Sequence, residues 1–294
     1  MSPDADTHWL KSRDGLPLRL VQFSTVGRPA LVCTGRNESI EKYAHVAATL
    51  TERGYAVSAV DWRGQGLSGR ETTKVRRGHV GSFESYLDDL STVLAAIEAA
   101  PLVFAHSMGG HIALRYAHLH RSAFSALVLT SPMIEIRTGP LPGAAVRFLA
   151  GAAQTVGLAE AYLPGHRRLM ERRFAGNVLT ENRERFEWIA RLHREQPELV
   201  TGGATFGWLA AAIESMEHLG ASGVAEAIRT PTLIASAGKD RVVSNRAHRR
   251  FAGRMPHAHH VTIPGARHEL PQETDARLHQ LWTEVDGFFT SNRF

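Results

Sequence analysis

One stretch limits what this chain can fold into more than any other. Leu102 to Tyr116 passes directly from an apolar, β-rich run into a helical pattern, with Ser107 at the junction. A strand-to-helix turn this sharp lifts a serine hydroxyl clear of a sheet. It closes only when the flanking residues are small, because the incoming strand and the outgoing helix nearly touch. Ala105, Gly109 and Gly110 meet that need, with Ala105 standing where the G-x-S-x-G pattern has its first glycine.

Alternating elements surround this turn. Residues 9–23 and 30–34 read as short strands, the first folded back at Asp14-Gly15. Ile40, Tyr43, Ala44, Ala47 and Leu50 recur at helical spacing between Glu38 and Arg53, with Gly54 as the stop and Ser39 as the expected cap. The strand 55–60 ends at Asp61 and leads into a loop rich in Gly and Arg, and a second helix runs from Ser82 to Ala100. Further strands read at 102–106, 126–130, 232–238 and 259–263, with helices after Ser107, over 245–254 and over 274–290. Such alternation predicts the α/β class, a mostly parallel sheet with helices on both faces. The rhythm stops at Pro132, and residues 133–224 show only helical and Gly- or Pro-punctuated segments. They read as an insertion in a core made of 1–132 and 225–294.

A serine hydroxyl attacks poorly until a base takes its proton and a third group orients that base. Asp240 follows the strand ending near Ala237, and His268 follows the strand ending at Ile263. Ser107, Asp240 and His268 therefore stand in the order Ser, Asp, His, each in a loop after its own strand, and are the candidate triad. Glu214, Glu217, Glu269 and Glu273 are weaker candidates for the acid, since none lies directly after a core strand and before the histidine. His257, His259 and His260 resemble a metal cluster at a glance but lack supporting carboxylates, and a surface reading suits them better. His106 is expected to support the turn. Two N–H donors must meet the developing oxyanion; the residue after the serine, Met108, supplies one, and Arg36, in the loop after 30–34, supplies the other. This chemistry needs no metal and no cofactor.

Composition narrows the setting. No apolar run approaches the roughly 20 residues that span a bilayer, the first residues lack a secretory pattern, and the lone Cys33 excludes an internal disulfide and fits a reducing compartment. A cytoplasmic location is expected. The formal net charge is +5, and Arg167-Arg168, Arg172-Arg173 and four further arginines up to Arg194 crowd one region. Glu171, Glu181, Glu184 and Glu187 interleave there, so a solvated helix face is the plainer reading. Peripheral contact with an anionic membrane surface is the sharper one. No motif with interleaved aromatic residues points to nucleic acid.

Several longer motifs carry a resemblance. They are Gly35-Arg36-Asn37-Glu38-Ser39 with Lys42-Tyr43, the run from Asp61 to Arg70, Gly78-His79-Val80-Gly81-Ser82-Phe83, and Ala105-His106-Ser107-Met108-Gly109-Gly110. Ser131-Pro132-Met133, Asn177-Val178-Leu179-Thr180 and the run from Gly202 to Trp208 extend it through the insertion. The chain resembles the α/β-hydrolase superfamily, and within it the lysophospholipase L2 and monoacylglycerol lipase group of serine aminopeptidase S33-type hydrolases. That resemblance implies an eight-stranded sheet, a helical cap at 133–224, and hydrolysis of a small lipid ester. Lysophospholipids are the expected substrates; monoacylglycerol lipase or general carboxylesterase activity is the alternative. A peptidase or carbon–carbon bond hydrolase, and a non-catalytic binding protein on the same scaffold, are remoter. Leu141, Val146, Phe148, Leu149, Val156 and Leu158 would line an acyl pocket or pack on the core, and the Arg167–Arg173 region would meet a phosphate head group. Acyl length, head group and oligomeric state are not written in these motifs.

Overall fold

Alternate residues of the central strands are buried on opposite sides, as a sheet covered twice requires. Leu31 and Cys33 enter one apolar cluster and Ala30 and Val32 the other; Val103 and Ala105 separate in the same way from Leu102 and Phe104. The computed structural model describes residues 5–73, 77–97, 99–138, 143–165 and 173–294. Its elements run β1 (Asp6–Lys11), β2 (Pro17–Gln22), β3 (Arg28–Cys33), α1 (Ala44–Glu52), β4 (Tyr55–Val60), α2 (Glu84–Ile97), β5 (Leu102–His106), α3 (Met108–Leu119) and β6 (Ala126–Thr130). Then follow α4 (Gly143–Thr155), α5 (Arg183–Glu195), α6 (Phe206–Gly220), α7 (Val224–Ala227), β7 (Thr232–Ala237), α8 (Asn245–Ala252), β8 (Ala258–Ile263) and α9 (Asp275–Asn292).

The eight strands form one sheet in the order β1-β2-β4-β3-β5-β6-β7-β8. Only β2 runs against the others, pairing antiparallel with both β1 and β4. The reversal is made by the turn at Gly15, whose φ of +90° suits a residue without a Cβ. Apolar residues of α1 and α9 cover one face, and those of α2, α3 and α8 the other. Between β6 and β7, which are parallel neighbours, the chain leaves the sheet to form α4, α5 and α6. Among the described residues no helix is long and apolar enough to cross a membrane.

The expected helix from Glu38 begins differently. A 3₁₀ turn, Ile40–Tyr43, precedes α1, and Ser39 makes no capping bond; its hydroxyl is buried without a partner. Asp61, at the end of β4, takes over by accepting the Ile40 N–H at 2.9 Å. Glu38 lies before the 3₁₀ turn, and its carboxylate accepts the Gly35 N–H at 2.6 Å. Ser82 does act at the start of α2, accepting the Glu84 N–H at 3.2 Å.

Candidate active site

Ser107 has φ +49° and ψ −111°, an unusual conformation for a residue with a side chain and one that costs about 1–3 kcal/mol. The surroundings hold it there: its N–H donates to the Thr130 carbonyl at 3.0 Å, and its own carbonyl accepts from His111 and Met133 at 3.1 and 2.9 Å. A Cβ on Gly109 would lie 2.6 Å from the Cys33 and Thr34 carbonyl oxygens, so α3 can approach β3 this closely only with glycine there. His106 braces the turn from the other side, its Nδ1 donating to the Thr130 carbonyl at 2.9 Å.

The loops after β7 and β8 bring two side chains to this serine. His268 Nδ1 donates to Asp240 Oδ2 at 2.8 Å, and His268 Nε2 accepts from Ser107 Oγ at 3.0 Å. The carboxylate bond thus fixes the tautomer in which Nε2 is free to take a proton. All three side chains are buried. Burial alone would raise the Asp240 carboxyl, but the His268 bond and charge and the N–H groups of Val242 and Val243 outweigh it and hold Asp240 below the ordinary range.

Met108 follows Ser107 directly, and Arg36 lines the same cavity as Ser107 and His268. Met108 opens α3, where first-turn amides lack a helical acceptor. The amides on either side of Arg36 are engaged, Gly35 by Glu38 Oε2 and Asn37 by Gln65 Oε1 at 2.6 Å. The weaker acid candidates for which a partner is given are bound to other groups. Glu217 pairs with Arg147 at the surface, Glu273 is buried against Arg277, and Glu269 meets the Lys42 ammonium at 2.8 Å. His260 Nε2 donates to Ser236 Oγ at 2.9 Å. Among the described residues no group of three or more His, Cys, Asp or Glu is arranged to hold a metal ion.

Sequence reasoning missed a buried ionic cluster under the loop 35–37. Lys42 lies between Glu38 and Glu269, and Tyr43 also donates to Glu38. Burial opposes the Glu38 charge, but Lys42, His106 and the bonds from Lys42 and Tyr43 bring its carboxyl down to about 2. The spacing of Glu38, Lys42 and Tyr43 is a local signal for half of the cluster, whereas Glu269 is far away in the chain and joins only through the fold.

Ser107 and His268 open on a cavity of about 690 Å³. Its apolar wall includes Val146 and Leu149 of α4 and Phe206 and Leu209 of α6. Of the expected apolar stretch, Phe148, Val156 and Leu158 are exposed and do not line it, Leu149 lines it while half exposed, and Leu141 lies outside the described residues. Arg167, Arg168 and Arg172 also lie outside them. Arg183 pairs with Glu187 along α5, and Arg185 reaches Asp275.

α6 is tied directly to the helix behind Ser107. His111 Nε2 accepts from Ser215 Oγ at 2.7 Å, and Arg115 donates to the same oxygen at 2.6 Å. Three buried histidines serve in such bonds as neutral rings. Burial is the main cause that brings His106 down to about 4, His111 to about 3 and His248 to about 4. From pH 6.5 down to about 4 the unfolded chain therefore binds protons that the native state does not, and stability falls as pH falls. Asp61, raised by burial to about 6, and Asp89, also raised by burial, work the other way, while His45, His79 and His260 are lowered by burial and add to the first effect. Each of His106, His111 and His248 contributes on the order of 1–2 kcal/mol near pH 5, so the urea midpoint is expected to drop clearly between about pH 7.5 and 5. An unchanged midpoint would show that these rings are charged in the native state.

Residues 29–275 match the family described as Serine aminopeptidase, S33. The chain is 35% identical to a protein of Escherichia coli K12 named Lysophospholipase L2, over 95% of this chain and 86% of that one. It is 26% identical to a Monoacylglycerol lipase of Mycolicibacterium smegmatis, over 83% and 82% of the two chains. In fold it is similar to a soluble variant of monoglyceride lipase from Saccharomyces cerevisiae, with a TM-score of 0.76, 17% identity, and coverage of 99% of this chain and 98% of that one. With the sheet order, the turn at Ser107 and this match in hand, the chain belongs to the serine aminopeptidase S33 family of α/β hydrolases.

Proposed function

We propose that this protein is a serine hydrolase that cleaves the carboxylic ester of single-chain lipids, with lysophospholipids as its main substrates. The observation that carries the reading is the bonded chain Ser107–His268–Asp240 opening on a cavity with an apolar wall. The similarity to Lysophospholipase L2 supports the choice of substrate. His268 takes the Ser107 proton as the oxygen attacks the ester carbonyl, and Asp240 holds the ring and stabilises its cation. The amides of Arg36 and Met108 receive the oxyanion. His268 then gives the proton to the departing alcohol, and water repeats the sequence to release the fatty acid and restore Ser107. Residues 133–224 act as the cap that selects the substrate, since α4 and α6 supply the apolar wall. The exposed Phe148 and Val156 and the net charge of +5 support peripheral contact with an anionic membrane, on the cytoplasmic side.

The test is fatty-acid release from lysophospholipids, monoacylglycerols and p-nitrophenyl esters of matched acyl length. The expected kcat/KM favours lysophospholipid over monoacylglycerol by about tenfold or more, the discrimination that one or two charge-assisted contacts give. Equal rates on all three would make the protein a general carboxylesterase. Hydrolysis of aminoacyl amides without ester cleavage would sink the reading.

A further inference from the structure

The cavity at Ser107 has a second, cationic wall. Segment 135–137, after β6, and segment 242–244, after β7, are laced antiparallel: the Arg137 N–H donates to the Val242 carbonyl and the Ser244 N–H to the Glu135 carbonyl, both at 2.9 Å. Ile136 and Val243 pair between them. Arg137 Nε donates to the Val243 carbonyl at 3.2 Å, which holds the base of its guanidinium to the opposite segment. This lacing fixes the backbone of Arg137 against that of Val242, the neighbour of Arg241, and both arginines line the cavity that contains Ser107 and His268. The rack is stiff, because Asp240 Oδ1 accepts the amides of Val242 and Val243 at 2.8 and 3.0 Å. Arg36 lines the same cavity, its guanidinium 4.4 Å from the Trp208 ring centroid.

The described carboxylates nearby have other partners, including Glu38 and Glu269, which line the same cavity. Glu135 pairs with Arg250, Glu181 with Arg277, and Glu38 and Glu269 share Lys42. Among the described residues neither Arg137 nor Arg241 has a carboxylate partner. A neutral glycerol ester can accept hydrogen bonds from these guanidinium groups but brings no charge to meet theirs. A phosphodiester brings that charge, and the planar fork of arginine matches its oxygens.

We propose that Arg137 and Arg241 form a binding site for the phosphate of a single-chain phospholipid, while its acyl chain lies along the α4 and α6 wall. This rests on the ester-hydrolase reading above and adds the residues that separate a phospholipid from a neutral glyceride. It also moves head-group recognition from the 167–173 region to the loops after β6 and β7. Both arginines are exposed, so their replacement spares the core.

The experiment compares the wild type with Arg137→Ala/Arg241→Ala and Arg137→Glu/Arg241→Glu on decanoyl lysophosphatidylglycerol and monodecanoylglycerol, below their micellar concentrations. The alanine pair is expected to raise KM for the phospholipid about tenfold, equal to ~1.4 kcal/mol, and the glutamate pair more. The kcat on either substrate and the KM for the glyceride stay within about twofold, a shift of ~0.4 kcal/mol at most. Added salt raises the wild-type KM for the phospholipid alone. Equal changes on both substrates, or none, overturn the proposal. Variants that lose only inhibition by inorganic phosphate would mark a site for free phosphate and overturn it too. A wild type that cleaves the glyceride but not the phospholipid defeats this proposal and leaves the ester-hydrolase reading standing. Cleavage of neither defeats both.

Discussion

Ser107→Ala is expected to remove ester hydrolysis and, with it, covalent labelling by a fluorophosphonate probe. The hydroxyl is the only atom the substitution deletes, and it is the atom 3.0 Å from His268 Nε2. Without it the bonded chain has a base and an orienting acid but nothing to attack with. Residual turnover then comes from the oxyanion donors and from binding alone, which places the loss in kcat at about 10³-fold or more, toward 10⁶-fold. The fold should hardly notice. Alanine occupies less space than serine, and the backbone bonds from Ser107 to Thr130, His111 and Met133 do not involve the side chain. Thermal melting and probe labelling on the same preparation therefore separate the two roles. Retained labelling in a folded Ser107→Ala protein would move the nucleophile elsewhere.

Glu38→Ala is expected to give the second large effect, and a different kind of one. The Glu38 carboxylate gathers the Gly35 amide, the Tyr43 hydroxyl and the Lys42 ammonium, all buried. Its removal leaves Lys42 with Glu269 alone and leaves the Gly35 amide without its acceptor. Deleting one partner of a buried ion pair costs about 3–5 kcal/mol of stability. Activity falls as well, because Gly35 precedes the residue proposed to donate to the oxyanion. With that amide displaced, kcat should drop by about 10–100-fold, somewhat less than deletion of a donor, while KM stays near its wild-type value. Glu38→Gln provides the control. It keeps an acceptor oxygen for Gly35 but not the charge facing Lys42, so it should recover more of kcat than of stability. The pH dependence follows from the same group. Its carboxyl sits at about 2, below the usual 4.5, so its contribution is complete above pH 4.5 and is lost as pH falls toward 2. Equal kcat in the wild type and both variants would reduce the cluster to a prop for the fold.

The contrast between these two residues reflects what a sequence displays. Ser107, Asp240 and His268 each follow a strand, and strands announce themselves through apolar runs bounded by turns, so their order along the chain is readable. The departure of the chain from the sheet after β6 is readable for the same reason, as a stretch without strand patterns. Glu38 stands at a local spacing from Lys42 and Tyr43, but that spacing alone says nothing of an inward-facing role. Its partner Glu269 stands beside a site histidine, yet the bond between them passes through Lys42 and exists only once β3 and β8 share a sheet. Ser39 misled because the serine-before-helix signal is local, whereas the real cap, Asp61, arrives from the end of another strand. Arg137 and Arg241 were overshadowed by the denser arginines of 167–194, because charge counting along a chain says nothing of which guanidinium faces a cavity.

The bond between His111 and Ser215 bears on how proteins of this architecture can be recombined. It joins the helix behind the serine to a helix of the intervening segment, within the core rather than at a loop. A graft that exchanges residues 133–224 for another segment without a hydroxyl at the corresponding place would leave the buried His111 Nε2 without its donor and Arg115 with Glu84 as its remaining side-chain partner. A transplanted segment therefore has to bring a hydroxyl to the place of Ser215, or His111 and Arg115 have to be replaced along with it.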